Sequence, residues 1–281
     1  MKILRLAMII CIGGIAMSSC QEQAVVEQPK ELTDYVNTFL GTEPLTDPDF
    51  IGYTPPKDWR VWAGLTYPGS SLPNAMVQLS PITEYGSGAG YEYEDSVIYG
   101  FAHTNKGHWN LCHVPVLPIT GSPNMGETYG SRFTHEKESS APGYYQVYLE
   151  DFGVNVRLTS TLRAGFHEYT FDKPEGRKVL FDLARSNHGV RDWAIRKVDT
   201  NHLAGVQVVG GDSIFFYAST NTTIASLEVT NEGARDGNAV LELENGGDPI
   251  TLKIALSFTS EENAKSNLRN EIGDKSFEEI K

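Results

Sequence analysis

The sequence predicts an all-β fold, a large antiparallel β-sandwich with a short helical linker at its C-terminal end. Three observations predict it. From Met76 onward apolar residues recur with period two, turn-forming clusters separate the alternating runs at short spacing, and helix formers take over only after "LKIALSF". Successive side chains of a strand point to opposite faces, so a period of two marks strands with one buried face. Such strands in close succession form antiparallel sheets packed face to face.

The elements follow in order. "YQVYL" sets Tyr145, Val147 and Leu149 against more polar partners, and "VNVRLT" sets Val154, Val156 and Leu158 against Asn155, Arg157 and Thr159. "FHEYTF", "KVLFDL", "WAIRKV", "LAGVQVV", "SIFFYA", "TTIASLEV", "AVLELE" and "ITLKIALSF" continue the pattern, with "APG", "DKPEG", "VVGGDS" and "ENGGDP" as turns. The N-terminal third, "FLGTEPLTDPDFIGYTPPKDWRVWAGLTYPGSSLPNA", is rich in Pro, Gly and aromatics and reads as long ordered loops. After the last strand, Ser276 and Glu279 fit a capping box that opens a helix. The chain stops two residues later, which reads as a fragment or a chain cut at a domain boundary.

The N-terminus carries a different signal. Lys2 and Arg5 precede an apolar stretch from Leu6 to Met17 that is too short for a comfortable span and fits an export signal. "MSSC" resembles a lipoprotein cleavage site, which would make Cys20 the lipidated first residue; an ordinary signal peptide is the alternative. The expected organisation is a signal peptide over 1–20, a flexible tether over 21–33, the sandwich over 34–259 and a helical linker over 260–281. The location implied is the periplasm or outer-membrane surface of a bacterium, with membrane contact only through the lipid. Cys112 is then the one cysteine left in the mature chain, so no intramolecular disulfide is expected. The formal net charge is −13 and no basic stripe occurs, which argues against a nucleic-acid partner. A neutral ligand such as a sugar is compatible.

The densest run of reactive side chains is "GFAHTNKGHWNLCHVPVLPITG". His103, His108 and His113 are spaced five apart, which lines up on neither a helix nor a strand, so a shared zinc ion is disfavoured. Cys112 has no base beside it except by proximity in sequence, and reads as a small buried residue entering a strand. Glu84, Glu92, Glu94 and Asp95 read as a solvated acidic strand end, and no EF-hand pattern is present.

Five motifs in order carry a resemblance. "DYVNTFLGT", "YPGSSLPNAMVQLSP", "GYEYEDSVIYGFAHTNKGHWNLCHVPVLPITG", "LTSTLRAGFHEYTF" and "IALSFTSEENAKSNLRNEI" are similar to segments of glycoside hydrolase family 92, bacterial calcium-dependent exo-α-mannosidases. The resemblance implies a galactose-mutarotase-like supersandwich set against a larger α/α-barrel, with the active site between them. It implies that calcium ligands and the catalytic acid and base come mainly from the barrel, that inversion releases terminal mannose, and that this chain alone lacks a catalytic or metal set. Mannose-containing glycans are the implied partners, together with a missing or separately encoded barrel. A stand-alone carbohydrate-binding surface lipoprotein is the competing reading.

Within that resemblance, five residues are expected at the sugar. Thr42 falls in the opening loop that faces the active site, with a structural turn held by Gly41 as the alternative. Tyr85 stands where many relatives carry tryptophan, beside the Gly-rich "GSGAG", which is either a close-approach surface or a plain turn. His103 matches the first histidine of the family's "SHTH", the second being Asn105 here. His108 and Trp109 lie in "KGHWNL", which replaces a small Gly-rich segment, and read either as groups lining the site or as core residues.

Overall fold

The computed structural model describes residues 30–57, 61, 64–106, 109–121, 129–245 and 249–281. The signal and tether expected before residue 30, with Cys20, lie outside the described residues, as does His108. The described residues before the first strand are loop with a 3-10 turn at Leu32–Tyr35 and one helical turn, α1 (Pro48–Ile51). Strands β1 (Ser70–Ser71), β2 (Gln78–Ile82), β3 (Val97–Ile98), β4 (Gly100–Ala102), β5 (Asn105–Lys106) and β6 (Trp109–Asn110) follow. Next come β7 (Val116–Thr120), β8 (Ser131–Arg132), β9 (Glu138–Ala141), β10 (Tyr144–Leu149), β11 (Val154–Ser160) and β12 (Ala164–Phe171). Then β13 (Arg177–Phe181), β14 (Val190–Lys197), β15 (His202–Val209), β16 (Asp212–Thr220), β17 (Ile224–Thr230), β18 (Asn238–Leu243) and β19 (Ile250–Ser257) complete the strands. Helices α2 (Glu261–Glu271) and α3 (Phe277–Ile280) end the chain.

Two antiparallel sheets form the sandwich. One has seven strands in the order β1-β2-β4-β7-β13-β18-β17, the other eight in the order β14-β15-β16-β19-β12-β11-β10-β9. The alternation read from the sequence sets the faces. Tyr145, Val147 and Leu149 of β10 and Val154, Val156 and Leu158 of β11 are all buried between the sheets, with Leu158 opposite His167 of β12. Leu117 of β7 pairs with Leu180 of β13 on the facing sheet.

The larger sheet is apolar on both faces, which a sandwich strand alone does not require. In β12, Tyr169 and Phe171 point into the main core, while Ala164 and Phe166 point outward. Ala204 of β15, Tyr217 of β16 and Ala255 of β19 share that outer face, and Ala264, Leu268, Ile272 and Phe277 of the C-terminal segment cover it. The three alanines let the helix approach closely. Ser260 caps α2 by accepting from Asn263 N–H, and Ser276 and Glu279 form the expected capping box on α3. Arg157 stacks on the Phe277 ring at 4.4 Å and pairs with Glu168 and Glu278. Phe277→Ala is expected to cost about 3 kcal/mol of unfolding free energy, read by urea denaturation, because it empties a site that is 3% exposed.

Two histidines occupy the core in a way their chemistry determines. His103 Nδ1 lies 2.8 Å from the Val114 carbonyl, which can only accept, so Nδ1 carries the proton. Its Nε2 is then an acceptor, and His167 Nε2–H donates to it at 2.9 Å. A Cβ on Gly165 would sit 3.0 Å from the His103 ring, so the glycine makes room for the pair. Burial pushes His103 down to about 4 and His167 well below its usual value, His103 adding repulsion to the latter, so both are neutral.

Candidate functional site

The site is built at one end of the sandwich, where three loops meet. The "GSGAG" turn carries positive φ at Gly86 and Gly90, and a Cβ at Gly90 would lie 2.0 Å from Asn110 Nδ2. The close approach that the glycines permit is therefore taken up by the chain's own Asn110. Asn187, beyond β13, joins the loops. Its Oδ1 accepts from Gly86 N–H at 2.8 Å, and its Nδ2 donates to the Asn110 carbonyl at 2.8 Å and to that of Ser87 at 3.2 Å.

The segment leading into β7 is held in a strained backbone. Cys112 and Val114 have φ of 51° and 49°, a region that costs a β-branched residue of order 1–3 kcal/mol. Buried Gln207 of β15 sustains it, accepting from Val114 N–H at 2.9 Å and donating to the carbonyls of Leu183 and Arg185 at 2.8 and 2.9 Å. One side-chain amide thus fixes both the 112–114 loop and the segment after β13. Cys112 itself is fully buried, and burial pushes its thiol far up, so it is no nucleophile.

A cleft of about 420 Å³ opens here, lined by Tyr85, Arg185, Ser186, His188 and Arg235 among others. The Arg185 guanidinium lies 5.7 Å from the Tyr85 ring centre and 5.0 Å from that of Tyr129, with Nε 3.5 Å from Asp182 Oδ2. Asp182 is buried, and burial pushes its carboxyl up to about 7 against the opposing pull of Arg185 and of the Tyr85 hydroxyl. Tyr85 is raised well above its usual value by burial and by the Asp182 charge. His113, 5% exposed, is pushed down to about 4 by burial and by nearby His188, with Asp212 opposing.

Buried polar atoms without a hydrogen bond gather at this end. Seven such side-chain atoms are here: Tyr85 Oη, Thr104 Oγ1, Asn110 Nδ2, both His113 ring nitrogens, Tyr129 Oη and Asp182 Oδ2. The Tyr85 hydroxyl and Asp182 face each other closely enough to shift one another without a well-formed bond. Such groups are costly unless something pairs with them, and sites of recognition are where they collect. A larger groove, about 820 Å³, runs along α2 on the outer sheet face, but none of these atoms lines it.

Of the five residues expected at the sugar, Tyr85 and Trp109 come to this end. Trp109, 36% exposed, sits on the short β5–β6 hairpin, its ring 3.7 Å from where a Gly88 Cβ would be. Two others lie inside the fold. His103 is fully buried with both ring nitrogens engaged, and Thr42, 2% exposed, donates its hydroxyl to the Phe39 carbonyl at 2.8 Å. Both serve the fold. Glu92, expected in solvent, is 1% exposed, whereas Glu84 and Glu94 are exposed. Asp182, Arg185, Asn187 and His188 were not anticipated; the polar run "RSNHG" breaking straight off a strand was the available signal. Among the described residues no three His, Cys, Asp or Glu side chains stand together as metal ligands.

The two-sheet fold matches a class of known proteins. The sequence model of the glycosyl hydrolase family 92 N-terminal domain matches residues 35–269. The chain belongs to that family. The family GH92 alpha-mannosidase BT3965 from Bacteroides thetaiotaomicron shares its fold at a TM-score of 0.77 and 24% identity, over 90% of this chain and 37% of that one. The GH92 glycosyl hydrolase ccman5 gives 0.70 and 25%, over 88% and 35%. The GH92 inverting mannosidase BT2199 from Bacteroides thetaiotaomicron VPI-5482 gives 0.73 and 24%, over 90% and 35%. The chain spans little more than a third of these structures. Among curated protein sequences, none matches it.

Proposed function

We propose that this chain is the substrate-site-forming N-terminal domain of an exported α-mannosidase that releases terminal mannose with inversion. The observation that carries the reading is the gathering of unpaired buried polar atoms beside Trp109 and Tyr85 at one end of a family 92 sandwich. Sugars present apolar patches between hydroxyls, and an aromatic face beside unpaired donors and acceptors suits both. Inversion needs two carboxyls roughly 6.5–9.5 Å apart. Asp182 supplies the one carboxyl oxygen among these seven atoms, so a second carboxyl, with any calcium, would come from a barrel outside this chain. Export and lipidation at Cys20 belong to the same proposal and rest on the N-terminal sequence.

The half-exposed Trp109 also favours a second reading, a carbohydrate-binding lipoprotein active without a partner domain. Titration with mannose oligosaccharides tests the site directly. A saturable change in tryptophan fluorescence is expected, and Trp109→Ala should abolish it while Trp193, buried in the core, continues to report the fold. Absence of any response would sink the site as placed. Calcium-dependent cleavage of an α-mannoside by the purified chain would overturn the claim that it is not catalytic alone.

A further inference from the structure

The chain carries a net charge of −13, yet the charged side chains lining the cleft beside Asp182 are Arg185 and Arg235, with His188 also in its wall and no acid among its described lining residues. Asp182, its side chain 7% exposed, sits against Arg185, with Arg185 Nε 3.5 Å from Asp182 Oδ2. The Tyr85 and Tyr129 rings lie within 5.7 and 5.0 Å of the Arg185 guanidinium, and Gln207 holds its backbone carbonyl, so the segment that carries the planar fork is fixed. A guanidinium oriented this way matches an oxyanion with two parallel hydrogen bonds. The volume, about 420 Å³, suits a sugar unit rather than a bare ion.

We infer that the cleft formed by Tyr85, Arg185, Ser186, His188 and Arg235 binds an acidic sugar, its carboxylate or phosphate held by the two arginines. This rests on the glycan-site reading above and narrows it to glycans that carry an oxyanion near the mannose.

The test is calorimetric titration of the chain with mannose, mannose 6-phosphate, glucuronate and inorganic phosphate at low salt. At least one acidic sugar should bind about tenfold or more tighter than mannose, and weaken as salt is raised. Arg235→Gln, at an exposed position, should bring that affinity down to the mannose value, and Arg185→Gln should do the same with the fold verified by circular dichroism. Equal affinity for neutral and acidic sugars, or an acidic-sugar affinity untouched by Arg235→Gln, overturns the inference. Inorganic phosphate binding as tightly as either acidic sugar also overturns it, in favour of a free-anion site. If mannose oligosaccharides bind without preference for the acidic sugars, only this inference falls; if no sugar binds, the glycan-site reading falls with it.

Discussion

Between pH 6.5 and about 4 the folded chain is expected to lose on the order of 6 kcal/mol through two histidines, about 3 kcal/mol each. His103 and His113 are pushed from 6.5 down to about 4 by burial, and His167 shifts in the same direction. The sign follows from which state binds the proton. Above pH 6.5 these rings are neutral in both states and cost nothing. Below it the unfolded chain takes up protons that the folded chain refuses, so stability falls with pH until the folded rings titrate. In the His103–His167 pair a further proton would set one N–H against another, which is why the pair resists. Urea midpoints measured from pH 7.5 down to 4.5 should fall, by less than the histidines alone require because buried Asp182 acts in the opposite direction, and His113→Asn should flatten the fall by about 2.5 kcal/mol. A midpoint that does not move across this range would rule the account out.

Asp182→Asn is expected to stabilise the chain at pH 8, by as much as about 4 kcal/mol, and to change little near pH 3.5. The carboxyl titrates at 3.8 when unfolded and at about 7 in the fold. Its raised value means the folded state keeps a proton that the unfolded state releases, so its contribution is full below pH 3.8 and lost as pH rises through about 7. An asparagine there imitates the protonated acid at every pH. Asp182 therefore opposes the histidines between pH 4 and 6.5, and the net stability optimum should fall at about pH 7. Were the Asp182→Asn substitution instead to destabilise the chain at pH 8, Asp182 would be an ionised partner of Arg185, and the cleft would be less positive than argued.

The fold was legible because alternation is enforced by burial. A strand with one face in the core cannot hide its period, and Tyr145 to Leu149 and Val154 to Leu158 announce their faces by pattern alone. The cover on the outer face was partly legible too, since Phe166 and Tyr217 are bulky apolar residues at outward positions. The site was less so. His103 and Thr42 carry polar groups that suit a sugar, but partners elsewhere in the fold claimed them: His103 met His167, 64 residues away. Sequence spacing does not encode such meetings. Asp182 ends an ordinary-looking strand, and only burial beside Arg185 makes its chemistry unusual.

The order of strands in the larger sheet has a consequence for how the chain is made. β19, which follows all the other strands in sequence, sits between β16 and β12 and joins β14-β15-β16 to β12-β11-β10-β9. A chain emerging from its N-terminus thus holds two unjoined meanders until residue 257 appears, and their apolar outer face stays bare until α2 and α3 arrive. Pairings this distant are slow to close, and the open edges of β12 and β16 are available to other chains in the meantime. Newly made chains should depend on a holding partner until residues 250–281 are free, and fold nearly all at once when they are.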